Sequence, residues 1–224
     1  MPIHLLWGDD AGAIDRSLND FINQVIDPNW TTINLSRLDG QNPSNASQSL
    51  EEARTPPFGA GHRVIILNKS PFCNGCSAEL SRKFESVADL IPSNSHLMLI
   101  NQSKPDGRLK TTKLIHGLIT GKKAFERKFL LPAIWDEIGQ KKLVERTANE
   151  MNIEIEEQAI YSLVEALGND SQRLFLELQK LILLEETKKK AKDTQRIIIK
   201  QETVKELCQG ISTNSLEICS SLLR

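Results

Sequence analysis

Four cysteines in 224 residues are too few, and too irregularly spaced, to staple a disulfide scaffold. The N-terminus lacks a charged region and a long apolar run. Its apolar stretch, Ile3–Trp7, is too short for a signal peptide or a membrane span, so a cytoplasmic protein is the default expectation. Charge of one sign is missing too. The 28 basic and 29 acidic residues leave a net charge of −1, which gives the chain as a whole no pull toward nucleic acid or an anionic membrane. The four histidines, His4, His62, His96 and His116, are scattered and form no HExxH, and there is no GxSxG elbow. His4 and His96 fall in predicted strands and are read as packed or edge residues. What remains is ordinary globular composition, 39% hydrophobic and 25% charged, in a chain long enough for one large or two small domains.

The most specific absence is chemical. His4-Leu5-Leu6-Trp7-Gly8-Asp9-Asp10-Ala11-Gly12 reads as strand, tight turn and helix start, which is the layout of a phosphate-binding loop. Such a loop places Gly-Lys-Ser/Thr after its first Gly, so that backbone N–H groups cradle phosphate and the Lys reaches the outer oxygens. The corresponding residues here are Ala13, Ile14 and Asp15. Asp9 and Asp10 stand where the helix N-terminus would receive an anion. They suit capping and would repel a polyphosphate. A magnesium–nucleotide site also needs acids after a central strand. The strand Arg63–Leu67 is followed by Asn68-Lys69-Ser70, and His96–Ile100 by Asn101-Gln102-Ser103. Asn101 stands where a residue could sense a γ-phosphate, but without the loop it reads as a plain loop residue. The expectation is no catalytic residue, no cofactor and no metal site.

The first ~130 residues alternate strand and helix patterns, which predicts an α/β domain with a parallel sheet of about five strands. Ile3–Trp7, Thr31–Leu35, Arg63–Leu67, His96–Ile100 and Ala124–Phe129 read as strands, the third as central and the last as an edge. Ile14, Leu18, Phe21, Ile22 and Val25 share one face of the first helix, which Asp27-Pro28 stops. Shorter helices are predicted through Leu50 and Ala53, through Leu80 to Ile91, and over Leu109–Ile119. From Pro132, placed at a helix N1 position, the pattern is helical. One helix carries Ile134, Trp135, Ile138, Leu143 and Val144 through Met151, and a second starts near Glu156 and ends at Gly168-Asn169. A third, capped by Asp170, carries Leu174, Phe175, Leu178, Leu181 and Ile182. Arg196–Lys200 reads as a short extended piece before a helix at Glu202–Leu207. Ser215 to Arg224 starts a further amphipathic helix, the expected sign of a fragment. The basic tract Lys188–Lys192 is read as a solvated helix end in preference to a DNA contact.

Two motifs stand outside these elements. Cys73-Asn74-Gly75-Cys76 is a lone CxxC, and its Asn-Gly core favours a structural turn over a metal or redox site. Arg54-Thr55-Pro56-Pro57-Phe58-Gly59 lies between a helix and the central strand, on the rim of the sheet. Its prolines stiffen it. Phe58, the large apolar side chain of this turn, is either tucked onto the core or offered to a partner. The residues alone favour the core.

In this order and spacing, HLLWGDDAGAID, ARTPPFGAGHRVIIL, HLMLIN and LPAIWDEIGQKKLV through LGNDSQRLFLELQKLILL resemble the delta subunit of the bacterial DNA polymerase III clamp loader, of cyanobacterial type. The resemblance runs over essentially the whole chain. It implies an AAA+-like parallel five-stranded sheet with flanking helices over residues 1–131, a small helical lid over 132–210, and over 211–224 the start of a C-terminal collar that is mostly missing. It implies a subunit that does not hydrolyse ATP. Such a subunit binds the sliding clamp (beta subunit), helps open the ring for loading onto primed DNA, and assembles with motor and delta-prime subunits through lid and collar. It would meet DNA indirectly and membrane not at all. It also turns Phe58 outward, with Pro57 beside it, as the clamp-binding pair. The rival expectations are a nucleotide-binding AAA+ ATPase and a DNA-binding accessory protein.

Overall fold

A computed structural model describes residues 2–188 and 197–205. The chain divides into two compact units, Met1–Leu130 and Leu131–Arg224. The first is built on a five-stranded, fully parallel sheet of β1 (Ile3–Trp7), β2 (Leu35–Asp39), β3 (Arg63–Asn68), β4 (Ser95–Asn101) and β5 (Ala124–Lys128), in the order β2-β3-β4-β1-β5. β4 is buried along its whole length and β3 nearly so, as their unbroken apolar runs require of central parallel strands. β2 and β5 form the edges.

Alternation sends the two faces of each strand to two separate cores. Leu5, Ile65, Leu67, Leu97 and Leu99 meet α3 (Pro43–Arg54), α4 (Ala78–Val87) and α5 (Lys110–Thr120) on one side. Leu6, Val64, Ile66, Met98 and Ile100 meet Ile14, Leu18 and Ile22 of α1 (Ala11–Val25) on the other. The single α1 stripe thus covers a whole face, which explains its strong amphipathic period. The strand order reverses at β1, between β4 and β5, and such a switch point opens a crevice at the carboxyl ends of the strands. The Gly8 loop sits there.

One predicted strand is displaced. Thr31–Leu35 is not extended. Asp27 caps a 3-10 turn over Pro28–Trp30, accepting from Asn29 N–H at 2.9 Å, and the turn runs into a short helix, α2 (Thr31–Asn34). The strand begins only at Leu35.

The second unit packs α6 (Glu137–Glu150), α7 (Glu157–Leu167) and α8 (Ser171–Lys188) around Leu143, Val144, Leu163, Leu174, Leu178 and Leu181. Gly168, at φ +59°, ends α7, and Asp170 accepts from Arg173 N–H at 2.9 Å at the start of α8. A two-residue parallel ladder, Glu154–Ile155 with Ile198–Ile199, joins this helical part, followed by a helical turn over 201–205. The first helix starts later than its apolar residues suggest. Asp136 is the N-cap, accepting from Gly139 N–H at 2.9 Å, so Pro132 is not at N1 and Ile134 and Trp135 precede the helix. Both are strongly exposed, at 77% and 86%. The side chains of Lys188–Lys192, and everything beyond residue 205, lie outside the described residues. Among the described residues no helix is long and apolar enough to cross a membrane.

Candidate functional site

The loop at the switch point is closed by the protein's own backbone. Gly8 N–H donates to Asn101 C=O at 3.1 Å, Asp10 N–H to Phe129 C=O at 3.1 Å, and Ala11 N–H to Asp9 C=O at 3.1 Å. Asp10 is buried, and its carboxylate accepts from Ala13 N–H at 2.9 Å, so it caps α1. Phe129 also donates its N–H to Trp7 C=O at 2.8 Å, fixing the chain after β5 against the loop. The N–H groups of Gly8, Asp10, Ala11 and Ala13 are therefore engaged, and the capping acid adds negative charge where an anion would enter. Asn101 is the last residue of β4, buried, and its carbonyl belongs to this closed turn.

The second feature is the loop from Thr55 to His62, which joins α3 to β3 at the opposite end of the sheet. Phe58 leaves the core, with 54% of its surface exposed. It is held from behind. Asn34, fully buried at the end of α2, accepts from Phe58 N–H at 2.8 Å and donates Nδ2–H to Phe58 C=O at 2.9 Å. The Phe58 ring meets Trp30 edge-on with centroids 4.8 Å apart. Gly59, at φ +69°, permits this approach. A Cβ there would lie 2.5 Å from Trp30 Nε1. Ile33 is exposed on the same short helix, and Pro57 is half-buried beside Phe58. The arrangement is an aromatic side chain on a two-proline turn, with its main chain anchored at both polar atoms. It offers preorganised apolar contact and no acid–base chemistry.

The family model for DNA polymerase III, delta subunit, matches residues 4–125, more than half of the chain and the whole of this arrangement. The chain belongs to that family. Among solved structures it is similar to the Bacillus subtilis DNA clamp loader delta protein (YqeN), with a TM-score of 0.75 and 21% identity, covering all of this chain and 67% of that one. That likeness establishes a shared fold. Looser likenesses are to the Thermotoga maritima RuvB Holliday junction branch migration motor (TM-score 0.42, 14% identity, 92% of this chain and 60% of that one) and to domain III of the Thermotoga maritima replication initiation protein DnaA (TM-score 0.40, 14% identity, 93% of this chain and 83% of that one). No curated protein sequence matches.

Within this delta-family chain the CxxC carries no reactive thiol. Burial pushes Cys73 up to about 11 and raises Cys76 as well, so both stay protonated and weakly nucleophilic near neutral pH. Cys73 is part of the hydrophobic core, and the segment Pro71–Cys73 is a 3-10 turn. Among the described residues no group of three or more His, Cys, Asp or Glu is placed to hold a metal ion.

Trp30 and Asn34 were not legible as site residues, because neither belongs to a motif and both precede Phe58 by more than twenty positions. Their role has a direct consequence. Asn34→Leu keeps the branched outline but leaves the N–H and C=O of Phe58 without their partner, so urea unfolding should report a loss of ~1–3 kcal/mol. A loss within error would show that the loop holds its shape by other contacts.

Proposed function

We propose that this chain is the clamp-binding delta subunit of a DNA polymerase III clamp loader, acting through binding energy and not through turnover of nucleotide. The observation that carries the reading is Phe58, half-exposed on a stiff rim loop and held there by Asn34 and Trp30, in a chain of the delta family. Phe58 enters an apolar pocket on the sliding clamp, with Pro57 packed beside it. Burying such a ring contributes ~1.5–3 kcal/mol. The clamp opens because the surface around Phe58 binds the open interface better than the closed one, the only way a ligand can shift such an equilibrium. The closed Gly8 loop supports a role in which ATP acts on neighbouring motor subunits. On this reading residues 132–210 act as the lid and 211–224 begin the collar, through which motor and delta-prime subunits assemble. The subunit is cytoplasmic and reaches primed DNA only within that assembly. The cyanobacterial type rests on the sequence resemblance.

The test is titration of the chain with its cognate sliding clamp, without nucleotide, by calorimetry or surface plasmon resonance. Saturable one-to-one binding that MgATP leaves unchanged is expected. Absence of binding by a well-folded chain would overturn the reading.

A further inference from the structure

Three of the four histidines form one row. His4 on β1 and His96 on β4 share the α1 face of the sheet, since His4 pairs with Met98, two residues along from His96. His62 ends the Phe58 loop, directly before β3, and falls on the same face, two residues before Val64, the partner of His96. His4 Nε2 lies 3.2 Å from His96 Nδ1, and His96 Nε2 lies 2.8 Å from His62 Nδ1. His96, in the middle, is 6% exposed. Phe21 of α1 packs 5.1 Å from the His4 ring and 5.0 Å from the His96 ring, and Phe125 of β5 lies 6.1 Å from His4. His96 turns its two nitrogens to different partners, so the rings do not converge on one point as metal ligands would.

The charged groups beside the row have partners elsewhere or are exposed, apart from Arg63 Nε, which is buried without a hydrogen bond. Arg63, next to His62, donates to Ile33 C=O. Asp27, after α1, accepts from Asn29 N–H. Lys123, before β5, pairs with Asp89. Glu126 accepts from Trp7, and Asp20, next to Phe21, is exposed on α1.

The row has a fixed proton capacity. Each His–His contact needs one N–H and one lone pair. Three neutral rings carry one ring proton each. With both contacts intact, the two contacts and the two outer nitrogens hold at most one proton more. A second added proton puts N–H against N–H in one contact and breaks it. His62 also donates its main-chain N–H to Val25 C=O at 3.1 Å, so loss of its ring contact leaves the C-terminal end of the Phe58 loop held by that bond and loosens it.

We propose that His4, His96 and His62 form a proton-operated anchor that positions the Phe58 loop, holding it when the row carries at most one extra proton and releasing it when a second binds. The released loop binds more protons than the anchored one, so lowering the pH favours release. The comparison is made between about pH 7.5 and pH 5.5, on either side of the range where histidine in general changes charge. His62 and His96 act as positioning residues. A consequence for the sliding clamp rests on the proposed role of Phe58, because a loosened loop must be reordered on binding.

The test is hydrogen exchange of the full chain at pH 7.5 and 5.5, corrected for intrinsic rates and read over residues 55–62. It compares wild type, His62→Gln and, as control, His116→Gln, an exposed position on α5. Protection in wild type and in the control should fall about tenfold at the lower pH, the equivalent of one lost hydrogen bond. In His62→Gln it should stay level, because an amide offers either a donor or an acceptor to His96 in either protonation state. An equal pH response in wild type and His62→Gln, or none in wild type, would overturn the proposal. Imidazole ¹⁵N shifts of the wild type give a readout that needs no variant, and three independent single-proton curves would overturn it equally. Clamp affinity is measured at both pH values alongside. If protection responds to pH and affinity does not, the anchor stands and Phe58 is not the clamp contact.

Discussion

Phe58→Ala is expected to weaken binding to the sliding clamp about 30-fold, ~2 kcal/mol, while the domain stays folded. Both halves follow from how the residue is held. The residue is 54% exposed and its main chain carries the two hydrogen bonds to Asn34, which an alanine keeps. The folded state loses only the edge-on contact with Trp30, worth ~0.5–1.5 kcal/mol. The complex loses the buried ring, the term that makes an aromatic anchor a hot spot. Titration of both proteins with clamp, beside urea unfolding of both, separates the two effects. A large fall in stability with a matching fall in affinity would mean that Phe58 is structural. Equal affinity for clamp would remove Phe58 from the interface.

Much of this architecture could be read from the residues, and the reasons differ by element. β1, β3 and β4 are apolar on both faces because helices cover both, so unbroken runs were enough. α1 covers one face by itself, and its periodic stripe shows it. β2 is a half-exposed edge whose Leu-Ser-Arg-Leu-Asp carries little apolar signal. Thr-Thr-Ile-Asn before it imitates a strand but is wound into helix by the Asp27 cap. The start of α6 follows Asp136 and not the apolar residues before it, because capping the first turn outweighs side chains that stay exposed. Pro57 and Phe58 were legible as a stiff turn. Whether Phe58 faced inward depended on Asn34 and Trp30, which only the packing of α2 brings beneath it. The histidine row was hidden for a similar reason. Its members lie 92 and 34 residues apart, and only strand register aligns them.

Gly8→Ala should be the most damaging single methyl group in the first unit, costing ~4 kcal/mol or more and roughly 15 °C in Tm. Gly8 has φ +144°, where a side chain is strained, and its Cβ would lie 1.9 Å from the carbonyl oxygen of Phe129 and 2.4 Å from the carbonyl carbon. These are backbone atoms and cannot rotate aside. Relief means moving Phe129, which breaks its bonds to Trp7 C=O and Asp10 N–H together. Gly117→Ala is the control, because on α5 a Cβ meets nothing within 4 Å and helix propensity favours Ala by up to ~1 kcal/mol. Thermal unfolding followed by circular dichroism compares the three proteins. A phosphate loop needs its glycine so that a ligand can approach the backbone, and here the glycine is needed because Phe129 approaches it instead. If Gly8→Ala were as stable as wild type, the chain after β5 would be free to leave the loop. The N–H group of Asp10, whose acceptor is Phe129 C=O, would then be open to an anion, and an MgATP titration of that variant would be the next measurement.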